Sequence, residues 1–195
     1  FICSEIMLEE LKKSLIEAPV VKKGDYDYFV HPVSDGIPTM KPEVLVEISE
    51  VVKDNFNIDV DKIVGIEAMG IPLATALSIE TGIPFVIIRK RHYGLDGEVA
   101  IHKTTGYGES DLYINDLHKG DKVLLIDDVV STGGTLISTI KALEEIGVEL
   151  VTIIAVLDKG NGKNIVEKET HHKIGSIVKL HIENGKVVID STIAD

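Results

Sequence analysis

Four short apolar runs, Lys62–Ile66, Phe85–Ile88, Val123–Ile126 and Val151–Leu157, punctuate the middle of this chain. Each is too short for a helix and lacks the polar alternation of a half-exposed strand. Such runs suit strands buried on both faces, which is the situation in a parallel sheet. Between them lie segments of helical length. Pro72–Thr81 is followed by Gly82, and Leu136–Ile146 by Gly147, each glycine standing where helices commonly end. The alternation predicts an α/β fold with a central parallel sheet flanked by helices.

The flanks are less regular. Leu8, Leu11 and Leu15 repeat at helical spacing, and Pro19 closes that element. Tyr26–Val33 is aromatic and β-branched with interleaved acids, and is expected to be extended as far as Pro32. Pro42 opens a second helix, with Val44, Leu45, Ile48, Val51 and Val52 on one face. Val99–His102 and Leu112–Asn115 are candidate antiparallel strands, and Lys103–Asp111 between them reads as a mobile loop. Near the C-terminus, Asn184-Gly185 separates two β-rich runs and predicts a hairpin.

Of the 195 residues, 44% are hydrophobic, enough for a substantial core. No apolar run approaches the roughly 18 residues of a membrane span. No basic start precedes an apolar stretch, so no secretory signal is expected. The single cysteine, Cys3, excludes an internal disulfide and suits a cytoplasmic location. Phe1–Ile6 precede Met7 and stand outside the fold argument as an upstream extension or tag. The rest reads as one domain. A net charge of −12 argues against a nucleic-acid partner. Arg89-Lys90-Arg91 is the one dense basic cluster, at the end of an expected strand.

The most informative stretch is "VLLIDDVVSTGGT", Val123–Thr135. Asp127 ends the apolar run, Asp128 follows, and Ser131–Thr135 lead into the next helix. That places a Gly/Ser/Thr turn at the carboxyl edge of the sheet, where open α/β folds bind ligands. Glycines let backbone amides approach an anion, and Ser131, Thr132 and Thr135 add hydroxyls to Gly133 and Gly134. Carboxylates would repel a phosphate but accept hydrogen bonds from sugar hydroxyls, or hold water around a divalent cation. An acid pair followed by a phosphate cradle suits a sugar phosphate. The run lacks the Gly-Lys-Ser/Thr of a Walker loop, and no G-x-G-x-x-G is present.

This stretch closely resembles the phosphoribosyl-pyrophosphate (PRPP) signature of type I phosphoribosyltransferases. "KIVGIEAMGIPLATALSIETGIPFVIIRKR" is similar to the pyrophosphate-loop region of the purine enzymes, especially the adenine type. "GDYDYFVHPVSDGIP" resembles the archaeal hypoxanthine/guanine branch. The likeness extends over nearly everything from Met7 onward. It implies transfer of a phosphoribosyl group from PRPP to hypoxanthine or guanine, giving a purine nucleotide and pyrophosphate. Adenine transfer, or PRPP sensing without catalysis, remain as alternatives.

The resemblance also implies residue roles. Asp127 and Asp128 would hold the ribose, and Ser131–Thr135 the 5′-phosphate. Mg²⁺ would sit mainly among ligand and water oxygens. Glu67, Ala68, Met69 and Gly70 would form the pyrophosphate loop, assisted by Arg89, Lys90 and Arg91 because Met69 stands where adenine-type relatives carry Arg. Tyr107 would belong to a closing loop; Gly106 replaces a Glu of that type, and Glu109 lies nearby. Ser131 stands where many hypoxanthine/guanine enzymes carry an Asp. Tyr26, Tyr28 or Phe29 would stack on the base in a hood spanning about 19–40, with the C-terminal segment a further candidate. His171-His172 is expected to be an exposed polar pair. The family also implies a homodimer.

Overall fold

A computed structural model describes residues 8–24, 26–105 and 108–194, with only the backbone described for 103–105 and 108–110. The chain runs α1 (Glu9–Ile16), β1 (Val20–Lys23), β2 (Tyr26–Phe29), α2 (Pro32–Asp35), α3 (Pro42–Asn55), β3 (Lys62–Ile66), α4 (Gly70–Thr81) and β4 (Phe85–Ile88). It continues through β5 (Val99–Thr105), β6 (Gly108–Ile114), β7 (Lys122–Val130), α5 (Gly134–Ile146), β8 (Glu149–Lys159), α6 (Gly162–Thr170), β9 (Gly175–Glu183) and β10 (Lys186–Thr192).

The main sheet has the order β10-β9-β8-β7-β3-β4. Strands β4, β3, β7, β8 and β9 are parallel, and β10 joins β9 in antiparallel register across the Asn184-Gly185 turn. Apolar runs form because alternate residues enter opposite cores. Leu124 and Ile126 pack with α1, α3 and α4, whereas Val123 and Leu125 pack with Leu136, Ile140 and Leu143 of α5. The C-terminal hairpin thus extends the main sheet, with β10 also meeting α1.

Two small hairpins stand beside this sheet. Strands β1 and β2 pair Val20 with Phe29, and α2 follows to complete a small hood against β7. Strands β5 and β6 pair from Val99↔Ile114 out to Thr105↔Gly108. Here the expectation needs correction: most of Lys103–Asp111 continues the ladder, because backbone pairing carries on past the apolar residues that mark the strands in the sequence.

Four other boundaries differ. The extended segment from Tyr26 stops at Phe29, and Pro32 starts a helical turn capped by His31, whose Nδ1 accepts from Val33 N–H at 3.1 Å. Proline suits a first helical position because its missing N–H would be unpaired there anyway. Helix α4 starts at Gly70, two residues before Pro72, and α5 at Gly134. Strand β7 runs through both acids to Val130, since its ladder with β8 continues to Val130↔Asp158.

Candidate functional site

The carboxyl edge of β3, β7 and β8 gathers most of the expected residues. Asp127 pairs with Ala155 in the ladder, is buried, and accepts Asp128 N–H on Oδ1 at 3.0 Å. Asp128 is half-buried beside it. Burial and the neighbouring Asp127 carboxyl push Asp128 well above the usual carboxylate range. In the free protein the pair therefore retains a proton that two separate surface acids would lose.

Ser131, Thr132 and Gly133 make the turn into α5. Gly133 caps the helix with φ +83°, a left-handed conformation that glycine adopts without steric cost. A Cβ there would also lie 2.6 Å from Val166 Cγ2. Ser131, Thr132 and Gly134 are exposed, and Thr135 is half-buried. The first-turn amides of α5 and three hydroxyls thus share one rim, suited to an anion.

A second wall comes from Glu67–Gly70. The Glu67–Ala68 peptide is cis. The loop can sit close to the sheet because Gly65 and Gly70 face each other without side chains. A Cβ on Gly65 would meet Gly70 O at 2.7 Å and Ala74 Cβ at 2.9 Å. Met69 turns toward the hood: its Sδ is 3.5 Å from where Gly36 would carry a Cβ. It therefore lies beside the hood, at the position where the resemblance to adenine-type enzymes implies an Arg.

Arg89 donates from Nε to Glu67 Oε2 at 2.6 Å, and Lys90 N–H donates to the same oxygen at 3.0 Å. These donors hold the Glu67 carboxyl below its ordinary range. Lys90 is exposed, and the Arg91 guanidinium lies 5.5 Å from the Tyr93 ring centre. Among the described residues, Arg89 is the member of the basic cluster whose side chain joins the loop.

The hood supplies the third wall. Tyr28 O–H donates to Asp35, and burial together with Asp35 raises its hydroxyl well above the ordinary value, with a smaller contribution from Asp128. Tyr26 is 48% exposed. Phe29 requires a correction as a stacking candidate: it is 4% exposed and belongs to the core with Leu11 and Leu15, because alternation along β2 turns it inward. Tyr107 lies outside the described residues, and Glu109 is described only through its backbone register with Thr104. His172 Nε2 is 2.9 Å from Glu144 Oε1, and His171 caps α6. Among the described residues no group of three or more His, Cys, Asp or Glu forms a metal cluster.

Two features escaped the sequence reading. Lys159, at the end of β8, donates to Tyr26 O–H, and its ammonium lies 4.3 Å from the Tyr26 ring centre. Gly162 begins α6 directly against the turn after β7: a Cβ there would be 2.3 Å from Ser131 O. The signal was available in "DKGNG", a second charged, glycine-rich strand end one strand away from the first.

A family model described as a phosphoribosyl transferase domain matches residues 43–187. The chain belongs to that family. It is 61% identical over 187 residues to a hypoxanthine/guanine phosphoribosyltransferase of Methanobacterium paludis, covering 96% of this chain and 98% of the relative. A protein of the same name from Methanobrevibacter ruminantium is 60% identical, with 96% and 100% covered. Among solved structures, adenine phosphoribosyltransferase of Thermoanaerobacter pseudethanolicus shares the fold with a TM-score of 0.71 at 22% identity, covering 89% of this chain and 99% of that one. The Rhodothermus marinus enzyme gives 0.70 at 26%, covering 89% and 98%. Among the described residues no helix is long and apolar enough to cross a membrane.

Proposed function

We propose that the protein acts in purine salvage, transferring the 5-phosphoribosyl group of PRPP to hypoxanthine or guanine. The relatives' shared name supports this, and so does one observation in the chain itself. Lys159 presents its ammonium at the Tyr26 face of the hood. An ammonium donates hydrogen bonds and accepts none. It suits the 6-oxo group of hypoxanthine or guanine and has nothing to accept from the 6-amino group of adenine.

In the reaction a purine ring nitrogen forms a bond to C1′, the bond from C1′ to pyrophosphate oxygen breaks, and the ring nitrogen loses its proton. Positive charge develops on the sugar as the leaving group departs. Asp127 and Asp128 accept hydrogen bonds from the ribose hydroxyls and place negative charge near that developing cation. Ser131–Thr135 and the α5 amides hold the 5′-phosphate. Glu67–Gly70 and Arg89–Arg91 border the pyrophosphate, Tyr26 and Tyr28 the base. Fixing the two reactants in this geometry replaces a bimolecular encounter.

Asp127 and Asp128 offer the hard oxygen donors that Mg²⁺ takes, and most of its shell would come from substrate and water. When bound it would neutralise charge on the leaving pyrophosphate. The working unit is a single domain with residues 19–40 as hood, placed in the cytoplasm. A homodimer is the expected assembly, and exposed Ile79 on α4 and Phe85 on edge strand β4 are consistent with it.

The test is a base-competition assay with Mg²⁺, PRPP and one base at a time. Nucleotide formation from hypoxanthine and guanine is expected, with loss in the Asp127→Asn/Asp128→Asn double variant. Turnover of adenine alone would overturn the reading. PRPP binding without turnover of any base would identify a sensor instead.

A further inference from the structure

We infer that Glu67 is a positioning residue for Arg89, and not itself a ligand of the pyrophosphate. This rests on assigning the 67–70 loop to the leaving group. An acid in an anion-binding loop opposes the ligand's charge, so its presence calls for a physical reason. The Glu67 carboxylate accepts two hydrogen bonds, both from donors at the end of β4.

Arg89 is fixed at several points. Its backbone N–H donates to Tyr113 O at 3.0 Å, and its carbonyl accepts Tyr113 N–H at 2.7 Å. The next amide, Lys90 N–H, is held by Glu67. The Glu67 contact uses the Nε edge of the guanidinium. A guanidinium has five N–H donors, so the two terminal nitrogens still carry four. With 41% of its side chain exposed, Arg89 can present that fork to a diphosphate oxygen.

The partial exposure of both side chains argues that the pair matters little for stability. Its value lies in orientation: a long side chain already held in place loses less freedom when it binds. This answers the question posed by Met69. The loop lacks its own arginine, and a carboxylate in the same loop recruits one from the neighbouring strand.

The experiment measures Mg-pyrophosphate binding by calorimetry, with KM for PRPP and kcat, in Glu67→Gln, Glu67→Ala, Glu67→Asp and Arg89→Lys. Glutamine keeps an acceptor for Nε and for Lys90 N–H and removes the charge, so it should bind pyrophosphate within about threefold of the parent or tighter. Alanine and aspartate withdraw the acceptor and should weaken binding about tenfold, raising KM for PRPP more than they lower kcat. Arg89→Lys should weaken binding similarly, and adding Glu67→Ala to it should cost little more, because the two residues act as one unit. Additive losses in the double variant would overturn the inference. So would tighter binding in both Gln and Ala variants, which would make Glu67 merely a repelling charge, or a melting-temperature drop with unchanged pyrophosphate binding. Failure of the underlying loop assignment looks different: unchanged binding in Arg89→Lys as well, or none in the parent.

Discussion

His31 Nε2 lies 2.9 Å from Ser14 Oγ, joining the base of the hood to α1. Because Nδ1 accepts Val33 N–H, the ring proton belongs on Nε2 and donates to Ser14, whose hydroxyl donates in turn to Leu11 O at 2.9 Å. The ring is fully buried, and that burial pulls its pKa down to about 4 against an opposing pull from Asp35. Removing the hydroxyl in Ser14→Ala leaves a buried N–H without this partner. A loss of about 1–3 kcal/mol is expected in denaturant unfolding.

The same ring sets an acid limit. Below its ordinary value of 6.5 the unfolded imidazole takes up a proton, whereas the folded one resists until about 4. The unfolded state therefore binds more protons across that window, and stability falls as pH drops from about 6.5 to 4. His31→Asn keeps an oxygen to cap α2 and should flatten this part of the pH–stability curve, measured by melting temperature between pH 4 and 7.

Asp128 works in the opposite direction. Its folded pKa lies above the unfolded value of 3.8, so the unfolded chain ionises first and stability declines as pH rises. Without ligand, Asp128→Asn should melt higher than the parent at pH 7, by about 2–4 °C per kcal/mol relieved, while losing at least ~100-fold in turnover. Equal melting temperatures at pH 7 would contradict the raised pKa.

Gly162→Ala should act on the phosphate turn from outside it. The added Cβ meets backbone at 2.3 Å, and neither partner is a flexible side-chain tip that can swing away. KM for PRPP is expected to rise about tenfold or more, with a destabilisation of about 1–3 kcal/mol typical of overpacking. Gly134→Ala is the contrast: nothing lies within 4 Å of its added Cβ, so the fold should be undisturbed. Thermal melts of the two variants separate these outcomes.

Lys159→Met retains the apolar stem and removes the donor. The ratio of kcat/KM for hypoxanthine to that for adenine should fall by at least ~10-fold, the scale of one hydrogen bond to a charged group. An unchanged ratio would remove Lys159 from base selection.

Much of this architecture was legible because period and punctuation are local. The runs at Ile63–Ile66 and Val123–Ile126 declare two buried faces without reference to any partner, and Asp127-Asp128 with Ser131–Thr135 declare an edge chemistry. What was not legible depends on register. Gly162 matters only because Val130 aligns with Asp158, bringing the next strand's turn against Ser131. Lys159 acquires its meaning from a tyrosine 133 positions away. Phe29 read as a stacking ring because aromatic character is visible in sequence, whereas the face a short hairpin strand offers to the core is not. The strand at Asp127 outran its apolar run because hydrogen bonds, not hydropathy, end a ladder.

The contact between Gly65 and Gly70 has a practical meaning for mutational work. Alanine scanning rests on subtraction: remove atoms, then record what is lost. At this wall of the site the working part is vacant volume, and alanine fills it. Gly65→Ala would bring a methyl group to 2.7 Å from Gly70 O, a gain of atoms that moves the whole loop. Positions of this kind yield their importance only to addition, and graded insertion of bulk is the mutational series that would map them.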